Sequence, residues 1–149
     1  MKFLKLSIAL LGCGLAPMLL AVSPIMSQEV LKPISPKFTP DPQVYSGTAG
    51  GDVPLASIAS KANGQCQGFT QKAANHSLKV QKSFGFLALK VSGDQNLSLL
   101  VKGPDGNYCR SGKSAEVSGA WGEGDYSIWV GSTDGTRTSY RLTISETSQ

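Results

Sequence analysis

The feature that most constrains this chain is an alternation of period two. From Gly64 onward, apolar residues return at every second position in short runs, separated by glycine-rich turns at intervals of roughly ten residues. Successive side chains of a strand point to opposite faces, so such a run buries one face and wets the other. Leu78 and Val80 alternate with lysines in this way. Phe84, Phe86 and Ala88 alternate against Leu87, Leu89 and Val91, which makes this strand apolar on both sides and predicts a central place in a sheet. Leu97, Leu99 and Val101 form the next buried face, Ala115 to Trp121 gives a further short strand, and Tyr126, Ile128 and Val130 follow. Tyr140, Leu142 and Ile144 close the series. Gly93-Asp94-Gln95-Asn96, Gly103-Pro104-Asp105-Gly106-Asn107, Gly122-Glu123-Gly124-Asp125 and Gly131 to Gly135 read as turns. In the second of these, Pro104 presets φ and Gly106 can take a positive φ. No helix-length apolar stripe intervenes, so the predicted fold is all-β: an antiparallel β-sandwich, jelly-roll-like.

The first residues have a different logic. Lys2 and Lys5 precede an almost unbroken apolar run from Leu6 to Val22, the layout of a secretory signal. The expected cut follows Ser27, with Ile25 and Ser27 at the minus-three and minus-one positions; a cut after Ser23 would leave Pro24 next in line. An uncleaved membrane anchor is the competing reading, weakened by Pro17 and Pro24. Leu10-Leu11-Gly12-Cys13 partly resembles a lipobox, but the apolar run continues beyond Cys13 where a lipidated protein would have a polar tether. Cys13 is therefore read as a passenger inside the signal, residues 1–27. Residues 28–60 carry Pro33, Pro36, Pro40, Pro42 and Pro54 with no apolar periodicity, and are expected as a Pro/Gly-rich tether, with a short strand open near Val53 to Ile58. The sandwich is then expected over 61–149, in a protein that is exported to the periplasm or beyond the cell.

Removing residues 1–27 leaves 12 basic against 10 acidic residues, so the formal charge falls from +4 to +2. The remaining lysines are scattered, without the concentrated basic patch that nucleic acid requires. Once the signal is gone, no stable membrane insertion is expected either. Two cysteines survive processing, Cys66 and Cys109. In an exported protein an isolated pair is most simply a disulfide. A Cys nucleophile would need a general base, and His76 is the single imidazole in the chain.

The run Gly103-Pro104-Asp105-Gly106-Asn107-Tyr108-Cys109 leads on to Gly119-Ala120-Trp121-Gly122-Glu123-Gly124-Asp125-Tyr126-Ser127-Ile128-Trp129-Val130-Gly131-Ser132. With the closing Tyr140-Arg141-Leu142-Thr143-Ile144-Ser145, it resembles bacterial pre-peptidase C-terminal-type domains, in the single-domain exported form of cyanobacteria. The upstream Cys66-Gln67-Gly68 matches that pattern too and supports the pairing with Cys109. The resemblance covers about residues 64–146. It implies a jelly-roll-like sandwich without catalytic activity, of the kind that holds a secreted protein to a polymer or assists its secretion. Some relatives bind calcium, but where the pattern often has an acidic pair after the second Cys this chain has Arg110-Ser111-Gly112, so no ligand residue is carried over.

The candidate sites are few. Asp94, Asp105, Asp125 and Asp134 fall in predicted turns and could converge on Ca²⁺, although Asp is favoured in turns for its own backbone bonding. Trp121 and Trp129, with Tyr126, could present an aromatic platform to a sugar or peptide. Tyr126 shares a face with Ile128 and Val130 and is expected in the core, which leaves Trp121 and Trp129 as the exposed candidates. His76-Ser77 is the one His–Ser neighbourhood, and no Gly-x-Ser-x-Gly elbow accompanies it. The leading expectation is a non-catalytic, disulfide-stapled module that engages an envelope or extracellular polymer without a cofactor. An accessory protein that binds one periplasmic or thylakoid-lumen partner is the alternative, and a small secreted hydrolase is the weakest of the three.

Overall fold

A computed structural model describes residues 28–148 of the protein. The expected signal at 1–27, with Cys13 and the cut after Ser27, lies outside the described residues. Five strands carry the alternation: β5 (His76–Val80), β6 (Phe84–Gly103), β7 (Gly106–Trp121), β8 (Gly124–Ser132) and β9 (Thr138–Ser145). β6 organises them. Its Ala88–Ser92 part pairs with β9, its Leu97–Lys102 part pairs with β8, and β7 follows both parts along the other side. Between the two parts the register with β7 shifts, from Ser92 to Leu97.

This shift corrects the expected turn at Gly93–Asn96. The chain does not reverse there; it turns a corner and passes from one sheet into the other. Bulges bend a strand in this way, and Gly, Asp and Asn suit the irregular backbone of a corner as well as that of a reversal. Two sheets result. One contains β2 (Gln43–Ala49), β9, the first part of β6 and the second part of β7; the other contains β1 (Glu29–Val30), β5, β8 and the remaining parts of β6 and β7. β1 runs parallel to β5; the ladders of β2, β5, β6, β7, β8 and β9 with one another are antiparallel. The architecture is the predicted antiparallel β-sandwich, curled and jelly-roll-like, with one disulfide between Cys66 and Cys109.

The core lies between the sheets and is built from the alternating positions. Leu87, Leu89, Val91, Leu142 and Ile144 from one sheet meet Leu78, Val80, Leu97, Leu99, Ile128 and Val130 from the other, all essentially withdrawn from water. Burial of such side chains contributes roughly 1.5–3 kcal/mol each before the cost of ordering them.

Residues 28–60 are not a tether. β2 pairs with β9 over its whole length, and Leu31, Ile34 and Ala49 sit in the main core. The prolines did not make a spacer: Pro36 stands in a turn and Pro40 and Pro42 follow cis peptide bonds in bends, directly ahead of β2, which serves as an edge strand. Leu31 and Ile34 are too isolated to register as a period. Further on, β3 (Val53–Pro54), the single turn α1 (Leu55–Ile58) and β4 (Phe69–Thr70) lie against the outer face of the second sheet, where β4 pairs with β8. Leu55 and Ala59 bury themselves there against Leu100 and Cys109, forming a second small core. Among the described residues no helix is long and apolar enough to cross a membrane.

Candidate functional site

That second core positions the loop between α1 and β4, and the disulfide pins it. Cys66 in the loop is bonded to Cys109 in β7, 43 residues along the chain. Three residues earlier the loop touches the same strand: Asn63 N–H donates to Asn107 O at 2.6 Å, and Cys109 N–H donates to Asn63 O at 2.8 Å. The Asn107 side chain reaches back to Ser60 O at 2.9 Å. Arg110 closes the arrangement, its Nη1 donating to Asn63 O at 2.9 Å and to Cys109 O at 2.8 Å.

Between loop and strand lies an open cleft of about 450 Å³, lined by Asn63, Gly64, Gln65, Gln67, Cys109, Arg110 and Ser111. Its size is that of a small-molecule site, but such sites are mostly apolar and this one offers amides and a guanidinium, while the Ser111 hydroxyl is bonded to that of Ser98 at 2.9 Å. Gln67 Nε2 donates to Gln65 Oε1 at 3.2 Å, which holds the two amides side by side. Gly64 has φ +100°, and a Cβ there would overlap Cys109 O and Arg110 Nη1. No carboxylate or imidazole belongs to the lining, whose amides and guanidinium donate and accept hydrogen bonds.

The sequence reading missed these residues, although a signal for them existed. A disulfide brings the neighbours of its two cysteines together in any fold. Gln65 and Gln67 flank one cysteine and Arg110 follows the other.

The two tryptophans are not brought together. Trp121 is 5 % exposed and packs inside the main core, its ring centroid 4.8 Å from that of Tyr126. It is therefore no surface platform. The parity of Ala115, Val117 and Trp121 in β7 places all three on the inward face, so the period-two argument applied strictly would have buried it. Tyr126 is in the core as expected. Its hydroxyl lies 3.0 Å from both Asp105 Oδ2 and Gly122 O, and burial together with the Asp105 carboxylate pushes its pKa up. Trp129 points out of the second sheet, half-buried against the small core. Its Nε1 donates to Lys72 O at 3.3 Å, and Lys102 Nζ lies 5.8 Å from the ring centroid while donating to Ile58 O.

Nor do the four turn aspartates converge. Asp105 accepts from Gly122 N–H at 2.9 Å and from Tyr126; Asp125 faces Lys79 at 3.5 Å. Asp134 accepts from Thr136 N–H at 2.9 Å, which holds its carboxyl below the usual range. Asp94 is exposed at the β6 corner. Among the described residues no three His, Cys, Asp or Glu side chains gather.

His76 sits inside the sandwich, 1 % exposed, and joins the two sheets. Its Nε2 is 2.6 Å from the Tyr140 hydroxyl of β9. Its Nδ1 is 2.9 Å from Glu29 Oε2 of β1, out of line for a hydrogen bond. Tyr45 of β2 faces the same ring at 6.4 Å between centroids. Burial lowers the His76 pKa, and the Glu29 carboxylate only partly offsets it. The unfolded chain therefore takes up this proton first on acidification. The His76 contribution to stability is fully present above the unfolded value of about 6.5 and is lost as pH falls from there toward the lower folded value. The chain has no second His, so a fall in Tm on acidification just below pH 6.5, absent in His76→Phe, is the expected result. A Tm that rises or stays flat in wild type would contradict it.

No protein-family model matches the chain. An uncharacterised protein of Synechococcus elongatus is 34% identical over 64 residues, which is 41% of this chain and 48% of that protein. The chain thus spans about half the length of the curated relative it matches. Among solved structures it is similar to the pre-peptidase C-terminal domain of a collagenase from Bacillus anthracis. Identity there is 11%, with a TM-score of 0.48, over 79% of this chain and 96% of that one.

Proposed function

We propose that this protein is an exported, non-catalytic binding module that engages an envelope or extracellular polymer through the cleft beside the disulfide. The observation that carries this reading is the lining of that cleft: hydrogen-bonding amides and a guanidinium, held on one side by a disulfide and on the other by a β-strand. A polymer of many hydroxyls fits these donors and acceptors, and a disulfide suits the oxidising compartment in which such polymers are met. The single imidazole is committed to the interior with Tyr140 and Glu29, which supports a role without general base catalysis. A second reading, recognition of one protein partner, is favoured by β7: it pairs only with β6 among the described strands, which leaves its outer backbone edge beyond Cys109 for strand addition.

The test is retention of the oxidised protein on the insoluble polysaccharide fraction of its own cell envelope. Wild type is expected to be retained, and the Gln65→Ala/Gln67→Ala double variant is expected to lose about tenfold in affinity through its lost hydrogen bonds. Wild-type protein that stays in the supernatant, or a double variant that binds equally well, would contradict the cleft reading. Capture instead of one stoichiometric protein, lost when β7 is blocked by Ser114→Pro, would establish the second.

A further inference from the structure

Resting on that reading, we infer that the cleft is selective for an acidic saccharide, one that carries carboxylate or sulfate groups, over a neutral one. Arg110 is held in one orientation by the backbone around it. A guanidinium has five N–H donors in a fixed plane. Both hydrogens of Nη1 are taken by backbone carbonyls, those of Asn63 and Cys109. That fixes the plane of the group and leaves the Nε–Nη2 edge, the pair of parallel donors that matches a carboxylate or sulfate bidentately. The Arg110 side chain is exposed and lines the cleft, so its remaining edge is accessible to a ligand there.

Two further observations fit. No acidic side chain belongs to the lining, so nothing inside the cleft neutralises Arg110 or repels an anion. The backbone approaches the guanidinium at Gly64 so closely that no side chain fits between them, which means that the loop is shaped around Arg110 in this position. The amides of Gln65 and Gln67 use one donor and one acceptor on each other, leaving Gln67 Oε1 and the Gln65 amino group for sugar hydroxyls beside the acidic group.

The experiment uses the oxidised protein and three soluble probes measured by calorimetry: an oligogalacturonate, a sulfated dextran oligosaccharide and the unsulfated dextran. Wild type is expected to bind at least one acidic probe about tenfold more tightly than the neutral one, with an affinity that falls as salt rises. Comparison of the first two probes separates carboxylate from sulfate recognition. Arg110→Gln is expected to remove the preference, and Arg110→Lys, which keeps the charge but not the fork, is expected to restore only part of it. Equal affinity of wild type for acidic and neutral probes overturns the acidic preference and leaves the cleft reading intact. Binding of none of the three overturns both. An acidic preference that persists in Arg110→Gln overturns the assignment to Arg110.

Discussion

Loss of the Cys66–Cys109 disulfide is expected to lower Tm by about 10–20 °C and to abolish the binding proposed at the cleft. The stability part follows from the unfolded chain. Cross-linking residues 43 apart removes loop-closure entropy worth about 4 kcal/mol on the chain-entropy account. For a domain of this size a kilocalorie corresponds to a few degrees in Tm. Total stability of small domains is about 5–15 kcal/mol, so the staple is a large fraction of it. The binding part follows from the folded state. The loop carrying Asn63, Gln65 and Gln67 is otherwise held by Leu55, Ala59 and a few hydrogen bonds to β7, a modest anchorage that local opening can release. The check is thermal unfolding of wild type with and without reductant, beside Cys66→Ser/Cys109→Ser. A drop of only a degree or two, with binding unchanged in the reduced protein, would show that neither stability nor the site depends on the bond.

Trp121→Ala is the second large effect. The ring is 5 % exposed, stacked at a tilt on Tyr126 and placed in the main core, and truncating a buried Trp costs about 3–5 kcal/mol. The midpoint of denaturant unfolding is expected to fall with an unchanged slope, and the fraction that remains folded is expected to bind as wild type does. Trp129→Ala costs less, because that ring is half-buried at the edge of the small core. If Trp121→Ala left stability untouched and removed binding, Trp121 would be a surface residue after all and the packing described for it would be wrong.

Those two residues also show what the sequence reveals and what it hides. Much of the sandwich was legible, because burial on one face enforces parity along Leu87–Val91, Leu97–Val101, Tyr126–Val130 and Tyr140–Ile144, but β7 was read only from Ala115 to Trp121 and its first part, from Gly106, was missed. What parity cannot give is where a strand ends. Gly93–Asn96 has the residues of a reversal, yet the pairing of β6 with β7 continues on both sides of it, and only the partner strands decide between corner and turn. The contribution of residues 28–60 was hidden for a related reason: β2 is held by its ladder to β9, a long-range pairing without a local pattern of its own. The cleft is hidden more deeply still. Its polar residues sit on a loop and on a strand edge, where no periodicity acts, and only the covalent link between Cys66 and Cys109 connects them in the sequence.

The central claim is that ligand is met at the disulfide-pinned cleft, and mapping of amide shifts tests it most directly. Spectra of oxidised, ¹⁵N-labelled protein are recorded while oligogalacturonate is added. The perturbed amides are expected to fall at Asn63–Gln67 and Cys109–Ser111, and in Arg110→Gln to move only at about tenfold higher ligand. Perturbations centred on Trp129 and Lys102, or along the β7 edge alone, would place recognition elsewhere and contradict it.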